Sequence, residues 1–265
     1  MTDDAEAPAP EEAVRAQARA RTRRSFLVGG AAALAGWGLW RWTKGRRLED
    51  GRPWPVRQVL RGNEELARDY FRKDRRAPEF DPSRAAAPRI NGGEGMSPDF
   101  DPSTWALTLE GVDTDDGTRT LSLADIRALP RHEQTTELKC IEGWSVVVSW
   151  AGARLADFIA KYPPAVRGDE RSNDPAAISP YVALETPDGG YYVGLDMESA
   201  LQPQTFLCYE MNGKPLSPAH GAPLRLVIPV KYGIKNIKRI GTIRYTQTRP
   251  ADFWAERGYD WYAGM

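Results

Sequence analysis

Hydrophobic and polar positions along this 265-residue chain change their spacing from one end to the other. From Trp105 onward apolar residues alternate with polar ones or gather in short runs bounded by turn residues, which is strand spacing. Residues 105–109, 135–139, 146–148, 181–186, 191–193, 205–209, 225–228 and 241–245 are the predicted strands. Asp115-Asp116-Gly117 and Asn212-Gly213 mark hairpin turns, since Asn, Asp and Gly tolerate the backbone such turns need. Helical spacing is brief. Ser122-Leu123-Ala124-Asp125 has the form of a capping box opening a short helix that stops at Pro130, and residues 155–162 run helically into Pro163-Pro164. Strands interspersed with short helices, without strict βαβ alternation or an internal repeat, predict a β-rich α+β domain.

The first part of the chain reads differently. Residues 1–20 are rich in Ala, Glu, Asp and Pro and are expected to be disordered or loosely helical. Arg23-Arg24-Ser25-Phe26-Leu27 then opens an apolar stretch that ends at Trp40, and this arrangement resembles a twin-arginine export signal. The stretch is about 15 residues, short of the roughly 17–25 that cross a bilayer. No small-x-small cleavage site follows. Trp37, Trp40 and Trp42 stand where interfacial anchors stand, and Arg41, Lys44, Arg46 and Arg47 come next, against the positive-inside pattern of an N-in span. Residues 1–47 are therefore read as a tail with an export signal or retained anchor. The competing reading is a basic membrane-surface helix. Pro and Gly punctuate residues 48–103; residues 48–84 are read as an irregular approach segment, with one charged helix over 63–76 capped by Asn63. Residues 85–265 form the expected functional domain.

Composition narrows the function. Thirty-six basic side chains balance 36 acidic ones, which argues against a nucleic-acid partner. Two cysteines and two histidines cannot build a metal cluster from protein ligands alone. One thiolate can still hold a metal when a cofactor supplies the other soft ligands. Cys140 lies in Lys139-Cys140-Ile141-Glu142-Gly143-Trp144-Ser145, at a predicted strand end; Lys139 would lower its pKa and Glu142 would oppose this. Taken alone, Cys140 is as readily a buried structural cysteine, or half of a Cys140–Cys208 disulfide. Cys208, in an apolar run, is expected in the core.

Two other segments carry chemistry. In His220-Gly221-Ala222-Pro223-Leu224-Arg225 a histidine precedes a flexible glycine, and Arg225 starts an apolar strand, an odd place for a charge unless it meets an anion. Lys231-Tyr232-Gly233-Ile234-Lys235-Asn236-Ile237-Lys238-Arg239 interleaves cations with isoleucines, as a phosphate-binding loop packed on the core would. The bland alternatives are a surface hairpin and a solvated basic face.

Together these three segments resemble, in order, the molybdopterin-binding domain of the sulfite oxidase family, over roughly residues 85–265. The resemblance is closest to the bacterial branch that includes the catalytic subunit of the periplasmic methionine-sulfoxide reductase, which shares Cys-x-Glu-x-Trp-Ser. It implies a mixed, β-rich sulfite-oxidase-type fold and a molybdenum-molybdopterin cofactor (Mo-MPT), with Cys140 as the protein ligand to molybdenum. It also implies that Thr186 stands beside the cofactor, that His220 lies near it, and that Arg225, Asn236, Ile237 and Lys238 hold the pterin and its phosphate. Asn91 is a further cofactor contact by the same resemblance. Glu142, Tyr232, Tyr191 and Tyr192 are the candidates around the open metal position. The implied activity is two-electron oxygen-atom transfer by an exported, periplasmic enzyme, acting on sulfoxides in a small molecule or a protein. The alternatives are a sulfite-oxidising enzyme of the same fold, disfavoured because no Arg directly follows Cys140, and an exported binding module without cofactor. No haem-attachment Cys-x-x-Cys-His is present, so a separate electron-transfer partner is expected, a membrane haem protein by the resemblance. A monomer is expected. Replacing Arg23 and Arg24 together by lysine is expected to leave the protein in the cytoplasm, which cell fractionation and immunoblotting would show.

Overall fold

The computed structural model describes residues 10–49, 51–70, 75–166 and 175–265. The chain forms two compact units: residues 1–49 with 53–57, and residues 50–52 with 58–265. The first unit is dominated by α1, Pro10–Lys44, followed by the two-residue strand β1, Leu48–Glu49. Residues 10–20 of the tail and the apolar stretch thus form one helix, where the sequence reading separated them. The physical reason is that Ala, Glu, Gln and Arg, which make up residues 11–24 apart from Val14 and Thr22, are strong helix formers. Phe26, Leu27, Leu34, Trp37, Leu39 and Trp40 are exposed on it. Arg41 lies over the Trp37 ring and Lys44 over Trp40, at 5.7 and 4.6 Å. Among the described residues no helix is long and apolar enough to cross a membrane.

A second short strand, β2, is Arg52–Pro53, and α2 spans Trp54–Tyr70. This helix starts earlier than expected and places Asn63 in its interior, not at its cap. Pro55 in its first turn costs no hydrogen bond, so the helix opens there. Arg75 and Arg76, expected at its end, are not helical, and residues 71–74 lie outside the described residues.

Two five-stranded sheets build the second unit. The chain lays down β3 (Leu107–Glu110), β4 (Thr118–Leu121), α3 (Leu123–Arg127), β5 (Arg131–Lys139), β6 (Ser145–Arg154) and α4 (Leu155–Lys161). It continues through α5 (Pro175–Ile178), β7 (Tyr181–Glu185), β8 (Tyr192–Asp196), α6 (Met197–Ala200), β9 (Phe206–Met211) and β10 (Lys214–Pro215). Last come β11 (Arg225–Val227), β12 (Thr242–Thr246) and α7 (Phe253–Glu256). One sheet has the order β10-β9-β6-β5, with β11 also on β9; the other has the order β4-β3-β12-β7-β8. The β12–β3 pairing is parallel and the others are antiparallel. The α+β, β-rich architecture is the one expected. The capping box at Ser122 and Asp125 is present in both directions.

Strand alternation sorts the core. Along β9, Leu207 and Tyr209 join a buried cluster with Leu109, Phe158, Leu184 and Ile243, drawn from both sheets. Phe206 and Cys208 face the opposite side, with Val148, Trp150 and Val227. Cys208 is fully buried as expected, and both cysteines are free thiols, which overturns the disulfide alternative.

Irregular chain then straps this first sheet. Ala77 N–H donates to Gln204 Oε1 (2.7 Å), Phe80 N–H to Thr135 O (2.9 Å) and Ala86 N–H to Val147 O (2.9 Å). Asn212 Nδ2 donates to Ala86 O at 3.0 Å. Backbone groups that lack a regular partner are satisfied by the sheet, so the segment is fixed without being a strand.

A buried ion pair fastens the other side. Lys235 Nζ lies 2.5 Å from Asp252 Oδ2, with side chains only 1% and 2% exposed. Lys235 also donates to Gly194 O (2.8 Å), while Asp252 accepts from Gly194 N–H (3.2 Å) and Ala255 N–H (3.1 Å). Removing one partner of such a pair leaves an uncompensated buried charge, so Asp252→Ala is expected to cost about 3–5 kcal/mol, read as a lowered midpoint in urea unfolding.

Candidate active site

β5 and β6 form a long hairpin, and Cys140 is the first residue of the loop that joins them. Cys140 N–H donates to Trp144 O (2.9 Å) and Gly143 N–H to Cys140 O (3.2 Å). Gly143 adopts φ +85°, a conformation that a β-carbon strains, which is why glycine stands there. The loop is therefore tight, and it presents a half-buried thiol to a cavity of about 190 Å³.

Five stretches of chain supply the cavity wall. The strap contributes Pro88, Arg89, Asn91, Gly92 and Glu94; the hairpin contributes Leu138, Cys140, Ile141, Glu142 and Trp144. The turns around β11 contribute His220, Arg225, Gly233, Ile234, Asn236 and Lys238. Tyr191, Trp254 and Tyr259 complete it.

Around the thiol, Asn91 Nδ2 lies 4.0 Å from Cys140 Sγ and donates to Glu142 Oε2 at 3.1 Å. Trp144 Nε1 donates to the same carboxylate oxygen at 2.8 Å. Burial pushes the Cys140 thiol pKa up; backbone N–H groups at Glu142 and Ile141 work against this, and the Glu142 charge adds to it. Lys139, expected to lower it, turns instead to Glu137, 3.6 Å away. This environment disfavours the thiolate, and a bound cation would favour it.

On the facing wall, Arg225 is only 3% exposed. Its Nη1 donates to His220 O (3.1 Å) and Nη2 to Asn236 O (3.2 Å), and the guanidinium lies 4.8 Å from the Trp150 ring centroid. Burial lowers its pKa to about 10. Among the described residues its buried Nε has no hydrogen-bond partner. Asn236 Oδ1 accepts from Ile228 N–H (2.9 Å), and its Nδ2 donates to Tyr232 O (3.1 Å). Lys238 Nζ donates to Asn91 O, which ties this wall to the strap; burial, helped by Arg225, brings its pKa down to about 8. His220 is buried and its pKa is lowered by burial, then by Arg225 and Lys238, which favours the neutral imidazole.

Cys140, Glu142, Asn91, His220, Arg225, Asn236 and Lys238 therefore share one cavity, while other expected residues stand apart. Ile237 sends its side chain into the core, and its O accepts from Leu226 N–H (2.9 Å). Among the described residues no acceptor meets the Ile237 or Lys238 amide, so any contact of Ile237 with a ligand is through backbone. Thr186 is buried outside the wall: its Oγ1 donates to Asp188 Oδ1 (2.7 Å) and accepts from Tyr191 N–H (3.0 Å), stabilising the turn that carries Tyr191. Tyr232 is also outside the wall, its N–H bonded to Ala263 O (3.0 Å). Tyr192 bonds Glu256 on the far side of sheet β7–β8. Of the tyrosines named from sequence only Tyr191 reaches the cavity; it donates to Ile234 O at 2.5 Å, and burial raises its pKa.

The basic run divides. Lys231 donates to Tyr262 O (2.9 Å) and Lys235 is spent on Asp252, so Lys238 is the lysine of the run that lines the cavity. Arg239 Nη1 bonds Ser97 O (2.8 Å) and holds the strap.

Sequence reasoning missed Arg89, Glu94, Trp144, Trp254 and Tyr259 as wall residues. Trp254 and Tyr259 lie 5.2 Å apart edge to face, in a segment whose density of aromatics was its only signal.

A protein of Azospira oryzae, a candidate protein-methionine-sulfoxide reductase subunit YedZ1, is 28% identical over 249 residues, 93% of this chain and 87% of that one. The protein-methionine-sulfoxide reductase catalytic subunit MsrP of Campylobacter jejuni is 32% identical over 64% of this chain. MsrP of Xanthomonas campestris is 34% identical over 57% of it. The chain spans 59% and 48% of the lengths of these two MsrP proteins. The sulfane dehydrogenase SoxCD of Paracoccus pantotrophus aligns with a TM-score of 0.47 and 16% identity, over 57% of this chain and 40% of that one. The profile of the oxidoreductase molybdopterin binding domain matches residues 94–254, more than half of the chain, and the protein is an oxidoreductase belonging to that family.

Proposed function

We propose that this protein is an exported molybdenum-molybdopterin enzyme that reduces sulfoxide-type substrates by oxygen-atom transfer. The observation that carries the reading is the half-buried Cys140 thiol in the wall of a cavity whose opposite wall holds Arg225, Asn236 and Lys238. The names of the relatives in the methionine-sulfoxide reductase group support the choice of substrate.

The donor set fits the cofactor. Cys140 supplies one soft ligand, and its burial-raised pKa is the state that a bound metal reverses. The partnerless Nε of Arg225, the Lys238 ammonium and the open amides of Ile237 and Lys238 suit an anionic phosphate and pterin. When bound, the molybdenum group supplies the two-electron exchange of one oxygen atom. Reduction of a sulfoxide then consumes two electrons and two protons and yields a thioether and water. The protein's own part is positional. Glu142 Oε2, accepting from Asn91 and Trp144, holds these two side chains beside the thiol. Tyr191, Trp254 and Tyr259 wall the cavity with aromatic surface, which favours a thioether side chain over water. Electrons come from a separate partner, for which a membrane haem protein is the proposed class. Residues 85–265 are the proposed catalytic domain. Residues 1–47 are proposed to direct export through the twin-arginine machinery to the periplasm or the outer face of the cytoplasmic membrane.

Protein purified from a molybdenum-replete host is expected to carry about one molybdenum per chain by elemental analysis. With reduced viologen as donor it is expected to reduce methionine sulfoxide, and Cys140→Ser to lose this activity. Oxidation of sulfite with no reduction of any sulfoxide would sink the reading in favour of the sulfite-oxidising alternative. Lys238→Met is expected to weaken cofactor retention about tenfold, measured as molybdenum remaining after gel filtration.

A further inference from the structure

One face of α2 is fastened to the second unit. Glu64, 5% exposed, lies 3.0 Å from Arg249 Nη1, and Ala67 packs on the cluster of Ala255, Trp261 and Tyr262. Another face of the same helix carries apolar residues that reach no core. Val59, Leu66 and Tyr70 follow i, i+7, i+11 spacing, which aligns them in one stripe along the helix. Their exposures are 66%, 69% and 64%. Single exposed apolar residues need no explanation, but a continuous stripe of them does, because an amphipathic helix normally spends such a stripe on a partner.

Charge says what the partner is. The chain as a whole is neutral, yet the segments on both sides of α2 are basic. Residues 41–53 hold five basic and two acidic side chains, and residues 71–76 hold four basic and one acidic. Arg75 lies over the Tyr70 ring, 3.9 Å from its centroid, so a cation stands at the end of the apolar stripe. Apolar side chains in a row with cations at both ends match a surface that is greasy below and anionic above. In sequence, α2 opens ten residues after α1 ends, and neither helix is long and apolar enough to cross a membrane.

We propose that α2 is an interfacial helix that lays Val59, Leu66 and Tyr70 into the headgroup region of an anionic bilayer, with the flanking basic residues on the lipid phosphates. The inference rests on the proposed membrane location and on nothing in the active site. Attachment through α1 alone would leave this stripe in water; attachment through both helices adds its burial to that of α1, as two weak membrane signals add.

The test follows amide hydrogen exchange in the full-length protein, alone, with vesicles of equal parts phosphatidylethanolamine and phosphatidylglycerol, and with vesicles of phosphatidylcholine. Exchange over residues 59–70 is expected to slow about tenfold on the anionic vesicles and less on the zwitterionic ones. Replacing Val59→Gln and Leu66→Gln together is expected to abolish the slowing. Both side chains are exposed, so the urea midpoint is expected to stay within experimental scatter. Equal exchange of α2 with and without anionic vesicles would overturn the proposal, even where α1 is slowed, and so would a slowing that the double variant retains. Slowing that needs no lipid and grows with protein concentration assigns the stripe to a second copy of the chain and overturns it as well. Protein that stays in the cytoplasm on cell fractionation counts against the proposed export alone, because the vesicle measurement still decides on α2.

Discussion

Lys235 and Asp252 hold opposite charges 2.5 Å apart in a volume almost closed to water. The pair is stable there because every neighbour is used: Gly194 offers both its carbonyl and its amide, and Ala255 adds a second N–H to the carboxylate. Taking two ions out of water costs several kcal/mol each, and such satisfaction is what offsets it. Three parts of the fold meet at this point: the turn Gly233–Lys235, strand β8, and α7 with its N-cap Asp252. Gly233 and Ile234 then face the thiol loop, and Trp254 faces the same cavity from α7. The site's far wall is therefore located by electrostatics that never touch a ligand.

The same turn explains why one basic run does two jobs. Lys231 and Lys235 point inward to Tyr262 O and Asp252, whereas Lys238, one turn further on, faces Arg225 and the strap. Arg239 takes the left-handed region, φ +48°, as the chain reverses and sends its side chain to Ser97. A stretch that looks uniformly cationic in sequence is thus partly scaffold and partly site.

Legibility followed physical range. Alternation along β9, the capping box at Ser122 and the turn at Asn212-Gly213 are local, and each appears where periodicity and turn chemistry put it. The thiol loop, His220, Arg225 and Lys238 were legible through motif order. Motif order marks a neighbourhood and not a direction: Thr186, Ile237 and Tyr232 each lie next to a wall residue, with Thr186 bonded within a turn, the Ile237 side chain in the core and the Tyr232 amide on Ala263. Arg89 left no local signal, and Trp254 and Tyr259 only the density of aromatics around them, since their approach to Cys140 depends on the strap and on the Lys235–Asp252 pair, both long-range.

The strap has a consequence for the order of events in the cell. Asn91 is made early and Tyr259 late, yet both line one cavity with Cys140 between them in sequence. Contacts so distant along the chain form only after long loops close. No emerging fragment on the ribosome can present the whole cavity, and until Asp252 has paired with Lys235 the strap has only half a wall to lie against. The whole cavity can form only once the chain from Asn91 to Tyr259 is present.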